Sequence, residues 1–187
     1  FKSTTETHLT DIKNNHDVKI ENLVVGGYEP VLITDGSGAY SYDTSKLPNG
    51  SIVYVNAYVY PSGMIEGPLV AHLWFQDRGI VLNTRITERT NLSYVGAIKN
   101  PSTDYRIGFL GTIKGFYLEK RILINLTEAF GAGNEPTREE MDTLIGLVPD
   151  NFWEGTLNPT KKLLLNWQLK MIRQNRNAIL ALGGTIV

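Results

Sequence analysis

Cysteine is absent from the 187 residues. That excludes disulfide staples and thiolate metal sites, and it suits a chain that folds in a reducing cytoplasm wherever it later works. Histidine is nearly as scarce. With only His8, His16 and His72, a histidine-rich metal site has few members to draw on. An excess of one charge is also lacking: a net charge of -1 and a pI near 6.4 give no electrostatic footprint for nucleic acid or an anionic membrane. No apolar run is long enough to span a bilayer, and no signal-peptide pattern opens the chain. The first residue is Phe1, not Met, which reads as a fragment or a processed product.

What is present points to a folded domain. A 42% hydrophobic content is ample for a core and 20% charged residues is ordinary, so disorder is excluded. The length holds one full domain with flanking segments, or two small ones. Residues 1–23 are polar and compatible with a helix. Leu9, Ile12, His16, Lys19 and Leu23 recur at spacings of three and four, as on the seam of a coiled-coil stalk. A solvated helix or linker is the competing reading.

From Val24 to about Leu126 the pattern changes to strands and turns. In Ile52–Tyr60, Val53, Val55, Ala57 and Val59 form one face, while Ile52, Tyr54, Asn56, Tyr58 and Tyr60 form the other. Period two with one aliphatic face describes a strand lying on a core. Pro48-Asn49-Gly50 and Pro61-Ser62-Gly63 bracket it with turn chemistry. Further strands are expected at Val31–Thr34, Leu69–Gln76, Ile80–Glu88, Leu92–Ile98, Tyr105–Leu110 and Gly115–Leu126. Short strands at this spacing imply an antiparallel β-sandwich or jelly roll, since the helices of a parallel βαβ sheet are missing.

Helices are expected after Phe130. Thr137 and Glu140 form a capping box behind Pro136, and Met141, Leu144, Ile145 and Val148 supply an apolar face up to Pro149. A longer helix should start near Asn158-Pro159 and end before Gly183-Gly184. Its stripe of Leu165, Leu169, Ile172, Arg176 and Ile179 needs cover from the sandwich or from partner chains, and seams at both ends favour a homotrimer. The expected division is therefore a helical stalk or linker at 1–23, a sandwich with a closing short helix at 24–155, and a C-terminal helix at 156–187.

The stretch Ile124-Asn125-Leu126-Thr127-Glu128-Ala129-Phe130-Gly131-Ala132-Gly133-Asn134-Glu135-Pro136-Thr137, with Asn151-Phe152-Trp153-Glu154-Gly155 after it, resembles a recurrent segment in tail proteins of phages and prophages of Gram-positive bacteria. The closing Ile179-Leu180-Ala181-Leu182-Gly183-Gly184-Thr185-Ile186 is similar to C-termini of related tail proteins. The resemblance implies a sandwich like a carbohydrate-binding module in a structural, fibre or receptor-binding component of the virion tail, made in the host cytoplasm. Other tail proteins and a host cell-wall glycan are the implied partners. The residues themselves read as architecture: Gly131 and Gly133 offer positive φ at a strand-to-helix corner, and Phe130, Phe152 and Trp153 look like plugs over the open end of a sandwich core. Ligand contact by Asn134 or Glu135 is the competing reading.

Sugar-binding surfaces combine aromatic faces with amide, carboxylate and guanidinium groups. Tyr54, Asn56, Tyr58 and Tyr60 have that composition, and His72, Trp74 and Gln76 would extend it if their strand lies alongside. An interface or half-exposed packing would use the same residues. Glu29, Asp35, Asp43, Asp77 and Asp104 sit near turns and could hold a structural calcium ion, although convergence of six to eight oxygens is not visible in sequence. No cofactor is otherwise implied. Catalysis is not expected: Ser37 between glycines lacks the following helix of a nucleophile elbow, and Gly131-Ala132-Gly133 lacks the setting of a dinucleotide site. Three functions remain, namely a glycan-binding tail component, a purely architectural tail module, and the carbohydrate-binding domain of a cell-wall hydrolase.

Overall fold

The computed structural model describes residues 19–34, 37–40, 42–63, 69–76, 79–99, 106–111, 115–159 and 163. The strands are β1 (Ile20–Asn22), β2 (Val31–Ile33), β3 (Ser37–Ala39), β4 (Ile52–Pro61), β5 (Leu69–Phe75), β6 (Gly79–Ile86), β7 (Thr90–Ala97), β8 (Ile107–Gly111), β9 (Phe116–Asn125) and β10 (Gly155–Leu157). The helices are α1 (Leu126–Phe130) and α2 (Arg138–Ile145), with single 3-10 turns at Thr44–Lys46 and Pro149–Asn151. Two four-stranded antiparallel sheets run in the orders β2-β9-β4-β7 and β3-β8-β5-β6, and β1 pairs with β10 in a small third sheet. From β2 to β9 the chain changes sheet at every connection except the β5–β6 hairpin, which is the winding of a jelly roll.

The alternation seen in the sequence decides which side of each strand faces in. Val53, Val55, Ala57 and Val59 of β4 meet Ala71, Leu73 and Phe75 of β5 and Ile107 and Phe109 of β8 in one core, all fully buried. Tyr40 lies against Phe109 and donates its hydroxyl to the Asn56 carbonyl across the interior at 2.9 Å. Burying these aliphatic and aromatic side chains contributes about 1.5–3 kcal/mol each, which is what holds the sheets together.

A second apolar cluster covers part of the outer side of the β2-β9-β4-β7 sheet. Tyr54, Ile122 and Ile124 project outward there and are buried beneath Met141, Leu144 and Ile145 of α2, with Leu126, Phe130, Phe152 and Trp153 around them. Phe130, Phe152 and Trp153 therefore roof a sheet face, which corrects their expected place at the open end of the sandwich.

The helical stalk needs correcting where it can be seen. Ile20–Asn22 is a strand, Ile20 is fully buried, and Leu23 belongs to the sandwich core, so no helical seam runs through Leu23. The Trp153 indole donates to the Ile20 carbonyl at 3.2 Å, and Asn22 Nδ2 donates to the Trp153 carbonyl at 3.0 Å. These bonds bring residues 20–23 into the sandwich unit. Leu9, Ile12 and His16 lie outside the described residues, as does most of the expected C-terminal helix with its Leu165–Ile179 stripe. Gly155–Leu157 is strand where that segment was expected to lead into the helix.

Candidate functional site

The tail-like segment is a corner built from its own polar groups. Asn125 caps α1 by accepting from Glu128 N at 3.1 Å, and its Nδ2 donates to the Lys46 carbonyl at 2.8 Å. The Thr127 hydroxyl accepts from Ile52 N at 2.9 Å and donates to Glu135 Oε1 at 2.7 Å. Glu135 Oε2 accepts from Gly133 N at 2.8 Å. Gly131 and Gly133 take φ of 87° and 82°, a region that costs other residues strain. Thr137 and Glu140 close the expected capping box on α2. With both Glu135 oxygens engaged in the turn, the corner accounts for its own chemistry.

The seven candidate binding residues separate into three places. Tyr54 and Asn56 are buried under α2. The Tyr54 hydroxyl donates to Asp142 Oδ1 at 2.7 Å, and the Ser93 hydroxyl donates to the other carboxylate oxygen at 3.0 Å. Asn56 Nδ2 donates to the Tyr54 hydroxyl at 3.0 Å, and Asn56 and Asn91 exchange amide bonds of 2.8 and 3.1 Å. Burial, followed by the Asp142 charge, raises the Tyr54 phenol far above its ordinary range. These two residues fasten helix to sheet.

His72 and Trp74 lie on β5 and Gln76 just past its end, and β5 is in the other sheet, so β4 and β5 are not neighbours and no continuous surface joins the two groups. His72 and Trp74 alternate with buried Ala71, Leu73 and Phe75, and so face outward on the opposite side of the sandwich. Gln76 holds the next strand in register, its Oε1 accepting from Arg106 N at 2.8 Å.

Tyr58 and Tyr60 remain half-exposed beyond the edge of the helical roof. Strand register brings them partners that the sequence did not single out. Tyr60 pairs with Tyr117 of β9, and Tyr117 pairs in turn with Leu32 of β2. Tyr58 lies between Glu119 of β9 and Asn91 of β7. The Tyr60 and Tyr117 rings stack with centroids 5.1 Å apart and planes at 24°. Arg89 lays its guanidinium 3.8 Å over the Tyr58 ring and grips Glu119 with two bonds, Nε to Oε2 at 3.1 Å and an Nη to Oε1 at 2.8 Å. Asn151 Nδ2 donates to the Tyr58 hydroxyl at 3.3 Å from a turn in which Asp150 and Asn151 take φ of 56° and 54°. Both are residue types that tolerate that region, and the turn marks the border between roofed and open sheet.

The charge states of this face are set by its own contacts. Hydrogen bonding to Arg89 holds the Glu119 carboxyl below the usual carboxylate range. Burial and then Glu119 raise the Tyr60 phenol. At neutral pH the face presents phenols, amides and a closed ion pair. Of the calcium candidates, Asp43 accepts from Ser45 N and Oγ at 3.0 and 2.7 Å in a local turn, and Glu29 is exposed. Asp35, Asp77 and Asp104 lie outside the described residues. Among the described residues no group of three or more potential metal ligands converges, and no helix is long and apolar enough to cross a membrane.

No protein-family model matches the chain, and no curated protein does. Among solved structures, the enzymatically active domain of tailspike protein 4 from bacteriophage CBA120 is similar at a TM-score of 0.35 and 12% identity, over 55% of this chain and 21% of that one. The enzymatic activity named there is a property of that tailspike.

Tyr117, Glu119 and Arg89 were missed for a physical reason. Tyr117 and Glu119 carry the outward phase of β9, alternating with inward Phe116 and Leu118, and that phase is legible. What a single sequence lacks is the register that sets them beside Tyr60 and Tyr58.

Proposed function

We propose that the chain is a component of a phage tail that adsorbs to a cell-wall glycan of the bacterial host through the tyrosine-lined half of its β2-β9-β4-β7 sheet. The tail assignment rests on the resemblance of the Ile124–Thr137 and Asn151–Gly155 segments. The binding assignment rests on one observation: half-exposed Tyr58, Tyr60 and Tyr117 sit on one sheet face with Arg89, Glu119 and Asn91 among them. Tyrosine rings offer flat apolar area to the C–H face of a sugar, and the neighbouring polar groups meet its hydroxyls. The module works by binding and not by catalysis. Trimeric assembly through the terminal segments would multiply weak sites into firm adsorption.

Tyr60→Ala and Tyr117→Ala are expected to weaken binding to host wall polysaccharide by about 1–3 kcal/mol. Trp74→Ala on the opposite sheet should leave it unchanged. Isothermal titration with purified wall polysaccharide, alongside light scattering for the oligomer, checks this. Loss of binding in Trp74→Ala alone would transfer the site to the other sheet.

A second reading is that the same face packs on another tail protein. The exposure of Leu32 at 36% and Tyr28 at 41% on this side favours it, because tyrosine and arginine also dominate protein interfaces. Intact protein that ignores wall polysaccharide but binds a tail partner, and loses that partner with Tyr117→Ala, would decide for it.

A further inference from the structure

We infer that this face, if it binds glycan as proposed above, takes uncharged sugars and not acidic polymers. The selecting group is the Arg89–Glu119 pair. Arg89 is committed to Glu119 through two hydrogen bonds, at 3.1 and 2.8 Å, so its charge is cancelled where a ligand would meet it. A guanidinium has five N–H donors. The pair therefore carries no net charge, with spare donors on the 44% exposed Arg89 side chain and a 15% exposed Glu119 carboxylate beside it. A sugar hydroxyl is neutral and can accept from the spare Arg89 donors without breaking the pair. A carboxylate or phosphate has only acceptors for this purpose. It could engage Arg89 only by bringing its negative charge up to the Glu119 carboxylate, with no proton between them.

Among the described residues, the other cation near this face stands to one side of it. Lys120 Nζ donates to the Asp150 carbonyl at 2.7 Å and lies 5.4 Å from the centre of the Tyr28 ring, which holds its charge at the border of the roofed half. The Asn91 and Asn151 amides carry no charge, and burial raises the Tyr60 phenol. Hydrogen bonding to Arg89 also keeps Glu119 ionised into mild acid, so protonation does not open the face to anions.

The test uses wall polysaccharide from cells that the intact chain binds, separated by anion exchange into neutral and acidic fractions. Binding is measured at about 50 mM and about 500 mM salt, where screening differs severalfold. Retention of the neutral fraction, with affinity changing less than about twofold between the two salts, supports the inference. Preferential binding of the acidic fraction that falls steeply with salt overturns it and leaves the glycan reading standing. Failure of folded protein to bind either fraction overturns both. Glu119→Gln frees the Arg89 charge, and should gain salt-sensitive binding of the acidic fraction while losing about tenfold for the neutral one. Arg89→Gln leaves Glu119 unopposed and should lose the neutral fraction without gaining the acidic one. Folding of each variant is verified by near-ultraviolet circular dichroism. Unchanged preference in either folded variant also overturns the inference.

Discussion

Tyr54 carries a hydroxyl into a place with no solvent, and two partners keep it there: Asp142 accepts from it at 2.7 Å, and Asn56 donates to it at 3.0 Å. Tyr54→Phe would keep the ring but strand one acceptor and one donor. Expected destabilisation is about 1–3 kcal/mol in urea unfolding. Buried phenols also set an alkaline limit. Tyr40 and Tyr54 have native pKa values raised above the ordinary 10.0, mainly by burial. The native state therefore holds their protons where the unfolded state releases them. Their contribution to stability is whole below pH 10 and declines as pH rises above it. Absorbance titration of the nine tyrosines should show exposed ones ionising first and a cooperative remainder that appears only with unfolding. Ionisation of every tyrosine before the loss of near-ultraviolet dichroism would contradict that burial. Sequence alternation placed Tyr54 and Asn56 on the outward face of β4 correctly. It could not say that a helix starting at Arg138, beyond the last strand of the sheet, would come back to cover them, because that depends on how the chain turns at Gly131 and Gly133.

At the scale of elements, Thr127 joins three of them. Its hydroxyl satisfies the first amide of β4, sits in α1, and donates to Glu135 in the turn towards α2. Thr127→Val keeps the shape and removes both bonds, with an expected cost of about 1–3 kcal/mol. Thr127→Ser should recover most of it, and chemical denaturation distinguishes the two. Thr137→Ala removes only a cap and should cost about 1 kcal/mol. The capping box and the positive-φ glycines were legible because they depend on local chain chemistry alone. The seven expected strands between Val31 and Leu126 also lie where the alternating pattern put them, to within a few residues. The strands that went unseen, β1, β3 and β10, are three residues each. Three residues carry little period-two pattern, and although the apolar run of β2 was legible at that length, β1, β3 and β10 are made strands by pairing with distant partners.

For the molecule as a whole, two sheets share one core and a helical layer covers half of one outer side. β4 is paired along its length by both β7 and β9, whereas β2 and β3 are short edges. Amide exchange should consequently be slowest in β4 and β9 and fastest in β1, β3 and β10, as mass spectrometry or NMR would show. Equal protection throughout would mean that the small β1–β10 sheet unfolds only with the rest. Composition and turn spacing made the sandwich legible, but not the separation of β4 and β5 into opposite sheets. That separation divided the expected binding surface in two.

The antiparallel pairing of Ile20 with Leu157 has a mechanical consequence. The chain enters and leaves the sandwich side by side, so a pull applied through both flanking segments would load that three-residue pair from its open end. Its bonds would then break in succession, and the burial of Ile20 and its carbonyl's bond to the Trp153 indole would have to give with them. A load of that kind therefore meets the small β1–β10 sheet before either four-stranded sheet.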